Sequence, residues 1–163
     1  MSSRKYLEIT LEQVPDDHPV AVFADYWAGR KDPSETLPRR TNIKPSEIIP
    51  VIPWLLILEK AEDYPEPEPQ FRYRLAGTGC TELFGVDYTN KLLGDHLTAD
   101  ARNIRLREFR RALTSCQPIF SLTPLPVPDR EFITAYRGVF PVSSNGSAMD
   151  QIFCVIASEQ TAV

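Results

Sequence analysis

The sequence predicts an α+β fold, an antiparallel sheet of five strands with helices on one face and a helical extension on the N-terminal side. Three observations predict it. Strand-like segments fall into two groups separated by one block of helical segments. Asn145-Gly146, set between two apolar runs, is the strongest short hairpin signal. The 15 prolines among 163 residues exceed the usual ~5% and favour rigid connections over long helices.

The elements follow in chain order. Residues 1–17 are polar and acid-rich and read as an arm. From His18 to Lys31, Val20, Phe23, Ala24 and Trp27 recur at helical spacing, and Gly29 and Pro33 end the helix. A proline-rich connector follows to residue 53, with one helical turn opened by Pro45. Trp54–Glu59 is an apolar run of strand length, and the Glu/Pro alternation after it marks an exposed loop. In Phe71–Ala76, Phe71, Tyr73 and Leu75 alternate with Arg72 and Arg74, which predicts a strand with one wet face.

Beyond Gly77-Thr78-Gly79, Thr81–Phe84 forms one helical turn stopped by Gly85. The one long helix spans Thr98–Cys116, with Thr98 as its N-cap. Strands over Pro118–Thr123, Phe132–Phe140 and Met149–Ser158 complete the sheet. The organisation predicted is an arm (1–17), a helical extension and connector (18–53) and a core domain (54–158).

Composition narrows the function classes. Residues are 42% hydrophobic and 25% charged, enough to bury a core in a soluble domain. A net charge of −4 argues against nucleic-acid binding, which needs a basic surface to displace counterions. Cys80, Cys116 and Cys154 lie far apart without a CxxC, and only His18 and His96 could complete a metal site, so the thiols read as buried and reduced. The longest apolar run is eight residues and contains a proline, whereas a membrane span needs ~20, and no signal peptide precedes it. A cytoplasmic protein is expected. No nucleophile elbow, His–carboxylate pair or metal cluster appears, so no enzyme is predicted.

Gly77-Thr78-Gly79 resembles the start of a dinucleotide cradle, but Glu82 stands where the third glycine belongs. No parallel strand returns after the short helix. The glycines therefore read as a corner at the end of a strand.

Three stretches carry a family resemblance: the tryptophan helix with LPRRTNIKPSEIIPVIPWLLILE, then FRYRLAGTGCTELFGVDYTNKLLGD, then VFPVSSNGSAMDQIFCVIAS. In wording and element order they resemble the PAS superfamily, and most closely a stand-alone bacterial PAS-like family. The match covers about Pro19–Ser158 and departs at Asn90, where that family usually has glycine. The resemblance implies a sensory or signalling module that binds a small molecule, a protein partner, or both. The alternative is a ligand-free interaction and dimerisation adaptor. The chain ends close to its last strand, so no output domain is expected.

The cofactors familiar in PAS domains leave no signature here. The Asn-Cys-Arg triplet of flavin-photoadduct domains is missing, and the histidine nearest the long helix, His96, precedes it by two residues rather than lying on it as a haem ligand would. The cofactor is left unknown.

On the long helix, Leu106, Phe109, Leu113 and Cys116 form the apolar stripe, and Glu108 lies away from it with Arg107, Arg110 and Arg111. Arg102 and Arg105 project within the apolar sector. Since this helix roofs the cavity of a PAS fold, both could meet an anionic ligand, or their stems could pack while the heads reach Asp87, Asp95 or water. Tyr73 and Tyr136 are expected on the cavity side of their strands. Val20, Phe23 and Trp27 are expected to cap the sheet, to pair with a second copy as PAS helices often do, or both.

Overall fold

The computed structural model describes residues 5–61, 70–95 and 97–163. The loop 62–69 and His96, both singled out in the sequence, lie outside the described residues. The strands are β1 (Leu7–Ile9), β2 (Leu55–Lys60), β3 (Phe71–Ala76), β4 (Ile119–Pro124), β5 (Thr134–Val142) and β6 (Gln151–Ser158). The α-helices are α1 (Pro19–Ala28), α2 (Thr78–Phe84) and α3 (Ala99–Ser115).

All strand pairings are antiparallel, in the order β1-β4-β5-β6-β2-β3. Five strands and the long helix stand where the sequence places them, within two or three residues. The sixth strand is an addition. Part of the arm, Leu7–Ile9, pairs with Phe120–Leu122 at the edge of the sheet. Three residues are too few to carry a strand signal in sequence.

Both faces of the sheet are covered, and each has its own apolar core. On one face, α2 and α3 pack over Leu56, Leu58, Tyr73, Val139, Ile152, Cys154 and Ile156. On the other, α1 and the connector pack over Leu55, Ile57, Phe140, Val142, Phe153 and Val155. Successive side chains of a strand point to opposite faces, so β2, β5 and β6 carry apolar residues on both sides.

Helix α1 begins at His18, whose Nδ1 accepts a hydrogen bond from the Val20 N–H at 3.1 Å. Its Nε2–H therefore donates to Ser158 O at 3.0 Å, which ties the helix start to the end of β6. Phe23 stands edge-on to Phe140 with ring centroids 4.8 Å apart. Trp27 donates from Nε1 to Pro141 O at 3.0 Å.

The corner after β3 has a steric cause. A Cβ at Gly77 would sit 2.3 Å from Ile52 O and 2.4 Å from Pro53 O, so only glycine lets α2 start this close to the connector's backbone. Asn90, where the resemblance implies glycine, takes the left-handed conformation (φ 69°), which asparagine tolerates better than most residues.

Candidate functional site: a charged cavity between sheet and long helix

Helix α3 is set by its N-cap: Thr98 Oγ1 accepts from the Ala101 N–H at 3.2 Å. Its buried face is broader than an apolar stripe and comprises Arg105, Leu106, Glu108, Phe109, Ala112 and Leu113. Two of these six carry charge. They meet a third charge, Arg137, which β5 projects to the same side as Ala135 and Val139.

Arg137 and Glu108 form an ion pair with both side chains 3% exposed. The other Glu108 oxygen accepts a hydrogen bond from Tyr6 Oη at 2.7 Å, so the residue before β1 reaches the same buried charge. Beyond it, Glu8 of β1 pairs with Arg111 on the outer side of α3. The Arg137 guanidinium also lies 5.8 Å from the Phe109 ring centroid.

Arg105 points into the cavity bounded by Leu56, Leu58, Tyr73, Tyr88, Arg137 and Cys154. It is 7% exposed. Among the described residues, none gives its guanidinium a hydrogen bond or an ion pair. The cavity volume is about 20 Å³, room for roughly one water molecule.

The electrostatics follow from burial and from these neighbours. Burial, and then the like charge of Arg137, pull the pKa of Arg105 below its ordinary value. Burial opposes the charge on Arg137 too, but the Glu108 carboxylate beside it favours the cation and the balance is upward. Burial raises the Tyr73 phenol and the Cys154 thiol, partly countered by the arginines, so both are neutral at physiological pH. Two guanidinium cations face one carboxylate, which leaves the site one positive charge in excess.

Sequence-predicted residues divide. Arg105 and Tyr73 line the cavity. Arg102 does not: its stem lies over Gly94, where an added Cβ would come within 2.4 Å of its Cδ. Tyr136 is on the opposite face, 5.1 Å from the His18 ring, because strand alternation gives the cavity to its neighbour Arg137.

Val20 and Phe23 are wholly buried against the protein's own sheet, which leaves no surface for a contact with a second copy. Trp27 is half-buried. Glu108, expected on the solvent side, is 2% exposed. Its signal was available: at i+3 from Arg105 it shares that residue's face of the helix.

Among the described residues, no group of three or more His, Cys, Asp or Glu could hold a metal ion. No described helix is long and apolar enough to cross a membrane.

The order of elements, a sheet interrupted by a helical block that roofs a cavity, defines a class of sensory and interaction modules. A family model of the PAS domain matches residues 16–133, and the chain belongs to that family. No curated protein matches it.

Proposed function

We propose that this PAS domain is a sensor whose cavity receives a small anionic molecule, with Arg105 as the counter-charge and Tyr73 beside it. One observation carries the reading: Arg105 is a buried cation without a hydrogen bond or ion pair from any described residue. An uncompensated buried charge costs several kcal/mol, and an anion within the cavity would repay that cost. The excess positive charge around Arg105 and Arg137 favours the same class of ligand.

Any ligand larger than water must widen the cavity, which Leu97 and Pro126 line from two loops. The response would leave through a protein contact, with a second copy or another signalling protein. Of the three residues expected at such a contact, Trp27 alone keeps exposed surface.

The small cavity favours a second reading, in which the core stays shut and the domain acts as an interaction adaptor. Native mass spectrometry of protein purified from its own host separates the two. The sensor reading expects an added mass that disappears on denaturation and is missing from Arg105→Met. A clean protein mass supports the adaptor, and an adduct that persists in Arg105→Met sinks the role given to this residue.

A further inference from the structure

The opposite face of the sheet has an opening of its own. A groove of about 550 Å³ runs between the connector and strands β2, β3 and β6, within the size range of small-molecule sites. Its walls are apolar: Ile43, Ile48, Ile52, Leu55, Ile57 and Phe153. Leu75 adds to them because Arg74 is an extra residue in β3. Ile57 pairs with Leu75 and Leu58 with Tyr73, so this bulge turns Leu75 away from the face that Tyr73 occupies.

Four polar residues, Arg40, Thr41, Ser144 and Gln151, break the apolar lining, and two of them lack, among the described residues, a partner for a charged or buried group. Gln151 is 4% exposed, and its Oε1 is buried without a hydrogen-bond partner. Its position on β6, two residues before Phe153, aims the carboxamide at the groove. A buried amide left unpaired costs ~1–3 kcal/mol. At the rim stands Arg40, exposed and without an ion pair from any described residue. The Arg40 N–H donates to Ser143 O at 2.8 Å, which fixes that rim against the end of β5.

We infer that this groove is a second ligand site, separate from the cavity, for an amphipathic acyl compound that carries an amide and an anionic head. The acyl chain lies along the isoleucines and Leu75. The ligand's amide supplies the partner that the Gln151 carboxamide lacks, since each amide offers both a donor and an acceptor. The anionic head meets Arg40 at the rim. An N-acyl amino acid has these three parts in this order.

The test is a titration of the full chain with N-decanoylglycine, followed by isoleucine methyl NMR. Saturable shifts are expected at Ile43, Ile48, Ile52 and Ile57, and not at Ile119 or Ile156 on the helix side. Gln151→Leu and Arg40→Glu should each weaken binding roughly tenfold, the worth of one hydrogen bond to a charged or buried group. Arg105→Met should leave the affinity unchanged. The inference is overturned if no saturable shift occurs, if the helix-side methyls respond instead, or if both groove variants bind like the wild type.

Discussion

The two faces of this sheet are built on opposite principles. One face is packed with rings under α1, where Phe120 meets Phe140, Phe140 meets Phe23 and Phe23 meets Phe153. Its one deeply buried histidine, His18, has both ring nitrogens bonded. The face under α3 buries Arg105, Glu108 and Arg137, together with Ser121, whose Oγ has no partner. Ser121 stands opposite Arg137 across the β4–β5 ladder, so the unpaired hydroxyl and the charges share one side. Aromatic packing stabilises without conditions, whereas buried charge is costly unless something meets it. Under α1 the rings hold the helix to the sheet, whereas under α3 the buried charges are the groups able to respond to an anion.

Four measurements break or sharpen that contrast. The largest effect is expected on the ring-packed face: Phe23→Ala should lose about 3–5 kcal/mol of stability in denaturant unfolding, the usual cost of deleting a buried phenyl ring. A loss below about 1 kcal/mol would mean that α1 is dispensable to the sheet. On the charged face, Glu108→Ala should cost about 3–4 kcal/mol by stranding Arg137 in the interior. The double replacement Glu108→Leu with Arg137→Met should recover most of that loss, because it removes both charges. If the double variant is the less stable of the two, the ion pair is a net stabiliser and the contrast between the faces weakens.

Arg105→Met should be neutral or up to about 2 kcal/mol more stabilising, the sign expected when an unpaired buried charge gives way to an apolar chain. Destabilisation would show that Arg105 serves the fold. The smallest effect concerns pH. Burial holds the His18 pKa below its ordinary value, so the folded state prefers the neutral ring. Stability should therefore be full above about pH 6.5 and decline as pH falls further, because the unfolded chain takes up the proton first. The loss should approach about 1 kcal/mol, since a protonated Nδ1 can no longer cap α1. In His18→Asn, which caps without titrating, this component of the acid slope should vanish.

What could be read in the sequence followed the strength of the local signals. Helix α3, β3 and the β5–β6 hairpin carry periodicity, an N-cap or an Asn-Gly turn, and they stand close to where those signals put them. The facing of individual strand residues was harder. With both faces buried, β5 reads Thr-Ala-Tyr-Arg-Gly-Val-Phe-Pro-Val with no polar side to set its phase, so the expectation that Tyr136 faces the cavity misses by one residue. In β3 the alternation itself was misleading, because the bulge at Arg74 resets it halfway. Arg105 was legible as a cation in an apolar sector. Arg102, three residues earlier, has the same phase, yet it finds space over Gly94 that no helical pattern announces.

The short strand β1 has a further consequence. It occupies the outer edge of β4, with Leu7–Ile9 in register against Phe120–Leu122. An uncovered edge strand is a template for another chain. Tyr6 and Glu8, which bond to Glu108 and Arg111, hold this segment in place over the edge of β4. The same phenol that completes the buried charge cluster helps keep the sheet at six strands.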